Sequence, residues 1–248
     1  LVNQTTIATG KTGLQATGLS STILNDSTGI INSTTQNAVA MTGLDGAYIE
    51  NKGSVNLTGD GSIGMYVRDA DGLSSNSVSV NEKSIAYYAD GASGEIIVTG
   101  TSSIGKNSTL LAAANGGKID YQSGAINLGD ERYGALIDGA GSIIDFGGND
   151  ITVGEGSVAV MLRSGGQLNN TLHDINVGKR GVGIYLADAT NLNSSAARTI
   201  NLSEDAKGIY ADNGGNILLN GNILSASDGA KGIASKNSSV SVIENAGS

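Results

Sequence analysis

Apolar residues recur along this chain in short alternating runs separated by Gly, Asn, Asp and Ser, with no helical spacing. The fullest copy of the pattern is Lys207-Gly208-Ile209-Tyr210-Ala211-Asp212-Asn213-Gly214-Gly215-Asn216-Ile217-Leu218-Leu219-Asn220-Gly221. Weaker copies stand at Gly183-Ile184-Tyr185-Leu186-Ala187-Asp188 and Gly64-Met65-Tyr66-Val67-Arg68-Asp69. Aligned on the residue ahead of the apolar pair, small in most copies, the anchors fall at 40, 64, 86, 110, 134, 159, 183, 208 and 232, with steps of 24, 22, 24, 24, 25, 24, 25 and 24. So even a period marks an internal repeat.

Two further columns keep step. Val55, Val78, Ile97, Ile119, Ile143, Leu168, Leu192, Ile217 and Val240 open a second run, and Ile126, Ile151, Ile175, Ile200 and Ile223 a third. The runs alternate as strands do and are bounded by turn formers, which predicts three short strands per repeat. Each repeat is then one coil of a right-handed parallel β-helix, and the chain an all-β solenoid of about ten coils. At a strand spacing of roughly 4.8 Å, such a stack is a rod on the order of 50 Å long.

The pattern is looser over residues 1–39, which predicts irregular N-terminal coils, and regular over 40–248. The coil between anchors 64 and 86 reads as short and lacking a third run, residues 43–53 read as carrying extra loop residues, and Gly129-Asp130-Glu131-Arg132-Tyr133 as the main polar excursion. Alternation in the anchor strand sends Met65 and Val67, Ile184 and Leu186, and Ile209 and Ala211 inward. Tyr66, Tyr88, Leu136, Met161, Tyr185 and Tyr210 then form one outward column. These side chains either pack over one another and over neighbouring turns, or form a ligand face in which Tyr66, Tyr88, Tyr185 and Tyr210 bind sugar rings or protein.

Composition alone, with 38 Gly, 4% aromatic residues and abundant Ser, Thr and Asn, suggests disorder. The apolar columns argue against it, because stacked coils bury a continuous core that no coil has alone. The absence of Pro agrees, since strands inside a stack must donate their N–H groups. A partner held by phosphate contacts needs a basic stripe, and a net charge of −9 with a pI near 4.5 argues against one, so nucleic acid is not an expected partner. With no Cys there are no disulfides or thiolate metal sites. The start lacks the basic and apolar regions of a signal peptide, and no stretch is apolar enough to span a membrane as a helix. The pattern begins and stops mid-repeat, so the chain reads as part of a longer solenoid.

Chemistry-bearing motifs weigh little against this pattern. Asp45, Asp69, Asp90, Asn115, Asp138, Asp188, Asp212 or Asn213, and Asn237 recur at the end of the anchor strand and read as Asx-turns. The acid pairs Asp69 and Asp71, Asp130 and Glu131, and Glu204 and Asp205 read as solvated turns rather than a glycosidase dyad. Gly147-Gly148-Asn149-Asp150 matches half a calcium-binding nonapeptide but occurs once. Thr9-Gly10-Lys11-Thr12 lacks the first Gly of a phosphate loop, that place being Thr5. His173 is the sole histidine, so neither a His-based triad nor a multi-histidine metal site is expected. A leucine-rich repeat would require Leu-x-x-Leu-x-Leu with an asparagine ladder, and helical repeats a 3.6-residue period; neither pattern appears.

The segments Ser123-Gly124-Ala125-Ile126-Asn127-Leu128-Gly129 and Arg180-Gly181-Val182-Gly183-Ile184-Tyr185 resemble repeats of type V autotransporter passengers, above all the very large fusobacterial surface adhesins. The resemblance covers roughly residues 38–248 and lies in repeat style rather than in a catalytic motif. It implies export to the bacterial surface, a C-terminal outer-membrane barrel not present in this chain, and attachment to host cells or other bacteria through a protein or glycan receptor. The expectation is a monomeric, non-enzymatic adhesin segment without cofactor, metal, nucleic acid or membrane contact, in which a spacer role is included. The alternative is a β-helical polysaccharide lyase or glycoside hydrolase.

Overall fold

The computed structural model describes residues 1–168, 173–188, 190–192, 199–213, 215–219, 223–237 and 240–244. Within the best copy of the repeat, Gly214, Asn220 and Gly221 lie outside the described residues. Every regular element among them is a strand, and every strand pairing is parallel. The chain divides into two compact units, Leu1–Ser123 and Gly124–Ser248. Each is a β-solenoid with three strands per coil.

In the first unit, one short-strand sheet stacks Val2–Asn3, Thr22–Asn25, Tyr48–Asn51, Asp71–Ser74, Glu95–Val98 and Lys118–Tyr121. A second stacks Thr6–Ala8, Ile30–Ser33, Ser54–Leu57, Val78–Val80 and Ser102–Ile104. The long-strand sheet stacks Thr12–Thr17, Val39–Leu44, Ile63–Arg68, Ile85–Asp90 and Thr109–Ala114. The second unit repeats this plan. Its long strands are Tyr133–Asp138, Val158–Arg163, Val182–Leu186, Lys207–Asp212 and Lys231–Lys236. Its second short-strand sheet runs through Ile126–Leu128, Ile151–Val153, Ile175–Val177, Thr199–Leu202 and Ile223–Ala226.

The anchors are the second residues of the long strands. In Ile85–Asp90, Ala86 and Tyr87 are both buried in succession, so the strand bends at the anchor instead of alternating through it. Ladder partners accordingly pass from Ile85↔Thr109 to Tyr87↔Leu111, skipping the anchor. The bend explains the small residue: a Cβ on Gly64 would sit 2.6 Å from the Ala86 carbonyl oxygen of the next coil. Beyond the bend, alternation resumes. Met65, Val67, Ile184, Leu186, Ile209 and Ala211 are buried as expected.

Register corrects the second column. Ile49, Gly72, Ile96 and Ile119 are the aligned inward residues of the first short-strand sheet, while Val55 and Val78 pair with each other in the second. Ile97 and Ile143 lie one place off, on the outer side of Ile96 and Ile144. In the third column, Ile223 pairs with Thr199 rather than Ile200. The coil between anchors 64 and 86 has its third run in Val78–Val80, and residues 48–51 are a paired strand rather than a loop insertion. Residues 1–39 hold five whole strands, with Val2↔Leu24, Ile7↔Ile31 and Leu14↔Met41 in parallel register.

Two polar columns run inside the first unit. Asn3 Nδ2 donates to Asn25 Oδ1 at 2.8 Å, Asn25 Nδ2 to Asn51 Oδ1 at 2.8 Å, and Asn51 Nδ2 to Ser74 Oγ at 3.4 Å. All four residues are buried. This is an asparagine ladder, formed here without the Leu-x-x-Leu-x-Leu pattern of a leucine-rich repeat. The second column caps the entry to the long strands: Ser62 Oγ accepts the Ala38 N–H at 3.2 Å, Ser84 Oγ the Ser62 N–H at 3.0 Å, and Ser108 Oγ the Ser84 N–H at 3.0 Å. Stacking lets a buried polar group find its partner in the same position one coil away.

The asparagine ladder ends at Tyr87, a fully buried long-strand residue. Ser102 Oγ donates to its hydroxyl at 2.9 Å, and Ser74 Oγ lies 3.3 Å away, so one phenol touches both short-strand sheets. Burial pushes the phenol up from 10.0 to about 12, against the lowering effect of its two serine partners. A folded-state value above the unfolded one means that this contribution is intact below pH 10.0 and lost as the pH rises towards about 12. Of the stability lost in chemical unfolding across that window, Tyr87→Phe should remove roughly 2–3 kcal/mol, other raised phenols such as Tyr66 supplying the rest.

Candidate functional site

The outward tyrosines form two pairs, one in each unit. Register aligns Thr42, Tyr66, Tyr88 and Ala112 in the first unit, and Leu136, Met161, Tyr185, Tyr210 and Ala234 in the second. Ring centroids are 5.3 Å apart in each pair, tilted by 51° for Tyr66 and Tyr88 and stacked at 16° for Tyr185 and Tyr210. All four residues are half-buried. Flanking Thr42 and Ala112 are buried, so packing over neighbouring coils accounts for part of what the first pair does.

Both pairs share one further feature. The hydroxyl of the first tyrosine donates to the aspartate two residues beyond the second: Tyr66 Oη to Asp90 Oδ2 at 3.1 Å, and Tyr185 Oη to Asp212 Oδ2 at 3.3 Å. Burial, then the aspartate, push Tyr66 up to about 12, and the same causes in the same order raise Tyr185. Asn115 Nδ2 holds the other oxygen of Asp90 at 2.7 Å. Lys207 Nζ lies 5.3 Å from the Tyr210 ring centroid, a cation–π contact. Each aromatic surface is therefore fixed by its strand and by a carboxylate.

Recurring acids tie coil to coil. Asp69 Oδ1 accepts the N–H of Ser93 at 3.2 Å, a bond between coils rather than the local Asx-turn expected. What selects Asx at this column is backbone: Asp45, Asp69, Asn115, Asp188, Asn213 and Asn237 all have φ between 47° and 64°. In two coils Gly91 and Gly139 take that conformation, one place after Asp90 and Asp138. Of the acid pairs, Asp130 Oδ1 accepts the Glu155 N–H at 2.8 Å and Glu204 pairs with Lys179 Nζ at 2.8 Å. Glu155 itself pairs with Arg180. Burial raises Asp138, but Arg163 at 2.6 Å and Ser164 outweigh it and hold the carboxyl below its ordinary value. His173 is exposed two residues ahead of the strand Ile175–Val177, with Nδ1 3.7 Å from Asp150 Oδ1.

No protein-family model matches the chain, and no curated protein matches it. A solved structure, a TibC-catalysed hyper-glycosylated fragment of TibA, aligns over 98% of this chain and 96% of its own, at 12% identity and a TM-score of 0.29. At that score the alignment carries no argument about this chain.

Sequence reasoning missed the outer side of the second short-strand sheet. In the second unit Asn176 Nδ2 donates to Thr152 Oγ1 at 3.2 Å and Asn201 Nδ2 to Asn176 Oδ1 at 2.9 Å. Beside this ladder lies a groove of about 340 Å³, lined by Thr152, Asn176 and Asn201, by the strand ends at Val153, Val177 and Leu202, whose side chains face the core, and by Gly178, Ser203 and Ser227. The signal was present in Ile175-Asn176-Val177-Gly178 and Ile200-Asn201-Leu202-Ser203: a neutral amide followed, two places on, by a small residue.

Proposed function

We propose that this chain is a segment of a bacterial cell-surface adhesin, held outside the cell by an outer-membrane barrel not present in this chain, and attached through its outward tyrosines to a protein or glycan receptor on host cells or other bacteria. The observation that carries this reading is the duplicated pair: two tyrosines on the outer side of the long-strand sheet, with the first hydroxyl fixed by an aspartate, in each unit. Tyrosine supplies a large amphipathic contact at low conformational-entropy cost, and rings held by their strands arrive already ordered. Two such surfaces on one chain raise avidity without new contacts. The reading assigns no reaction, cofactor or metal, and attachment comes from shape and repetition.

Flow cytometry of the labelled protein on epithelial cells and on neighbouring bacterial species tests it. Saturable binding should fall by about tenfold or more in the Tyr185→Ser and Tyr210→Ser double variant, with the strand-type circular dichroism unchanged. Saturable binding that both substitutions leave intact would remove the tyrosines from the site.

A further inference from the structure

The groove on the second short-strand sheet of the second unit lies on a different sheet from Tyr185 and Tyr210. We propose that it binds a neutral saccharide chain laid across successive coils. Its wall is the Thr152, Asn176 and Asn201 ladder and its edge the row Gly178, Ser203 and Ser227, so among the described residues no charged side chain lines it. An ionic ligand would be stripped of water there without a counter-charge, which is costly. A peptide adding as a strand needs an open sheet edge, and on this surface the main-chain bonds already run between coils.

Amides and hydroxyls suit sugar hydroxyls, which both donate and accept. Within the ladder Asn176 uses one N–H and one lone pair, and its second N–H and second lone pair remain for a ligand. The pattern repeats at each coil, roughly every 4.8 Å, a step comparable to one residue of an extended glycan.

The groove is open because its edge residues are small. At the equivalent place in the first unit, one residue past Val80, Asn81 folds its amide onto the Thr58 carbonyl at 3.0 Å. Gly178 is fixed as glycine, since a Cβ there would lie 2.5 Å from the Gly154 carbonyl carbon.

The proposal stands or falls independently of the adhesin reading, and NMR titration of the isotope-labelled chain tests it. Probes are β-linked glucan and N-acetylglucosamine tetrasaccharides, with an oligogalacturonate as the charged comparison. At least one neutral probe should give saturable shifts of the Asn176 and Asn201 side-chain amides. Its apparent affinity should fall by about tenfold in Asn176→Ala combined with Asn201→Ala, and Asn56→Ala in the first unit should leave it unchanged. Ser203→Phe fills the groove from its exposed edge without touching the ladder and should abolish the same shifts if the double variant fails to fold. Absence of shifts with both neutral probes, a preference for the charged oligomer, or shifts that survive Ser203→Phe would overturn the proposal.

Discussion

Asn25→Leu should destabilise the first unit by about 2–5 kcal/mol, seen as a lowered midpoint in chemical unfolding. The side chain is fully buried and sits inside the asparagine ladder, accepting from Asn3 and donating to Asn51. Leucine removes both bonds at once. The Asn3 amide and the Asn51 carbonyl are then left without their partner in the interior, and each buried unsatisfied group costs about 1–3 kcal/mol. Asn56→Ala is the control. Its amide makes a similar bond to Asn32 at 3.1 Å, but on the outer, half-buried side where water can replace it, and the change should be within about 1 kcal/mol. Equal effects of the two substitutions would mean that the inner ladder contributes no more than the outer one.

Tyr87→Ala should cost about 3–5 kcal/mol, the range for deleting a buried aromatic. The ring belongs to the long-strand sheet while its hydroxyl meets Ser102 of one short-strand sheet and Ser74 of the other. Truncation therefore opens a cavity inside the coil and removes the hydroxyl that two serines share. Tyr87→Phe keeps the ring and should lose only about 1 kcal/mol, because Ser74 keeps its contact with Asn51. Unfolding midpoints of the two variants at neutral pH separate packing from hydrogen bonding. Near-equal losses would show that the hydroxyl, rather than the ring, holds the coil together.

The anchors were legible because one steric demand, a bend under the next coil's carbonyl, repeats at every coil and admits few residues there. The tyrosine column was legible for a similar reason, since alternation beyond the bend decides which side each residue faces. Its division into two pairs was not, because a spacing in sequence does not tell stacked rings from interrupted ones. The second column was misphased where apolar neighbours stand side by side, as in Ile96-Ile97 and Ile143-Ile144, and where Gly72 leaves the inward place without an apolar marker. Asparagine was the most ambiguous letter. It serves left-handed turns at Asn115 and Asn237, an inner ladder at Asn25 and Asn51, and an outer one at Asn176 and Asn201. A left-handed backbone marks the first and side-chain direction separates the other two, and the ladder spacings of 22, 26 and 23 residues hide the distinction further.

Two columns of left-handed residues bracket each long strand, at Asn37, Gly61, Lys83, Asn107 and Glu131 before it and at Asp45, Asp69, Gly91, Asn115 and Gly139 after it. They set where every coil may change length. A slip of one residue inside a strand turns each following side chain inside out as far as the next turn. A duplicated whole period instead adds one member to each ladder and leaves the phase unchanged. Duplicating a whole repeat is thus structurally quiet, while a one-residue slip inside a strand is not.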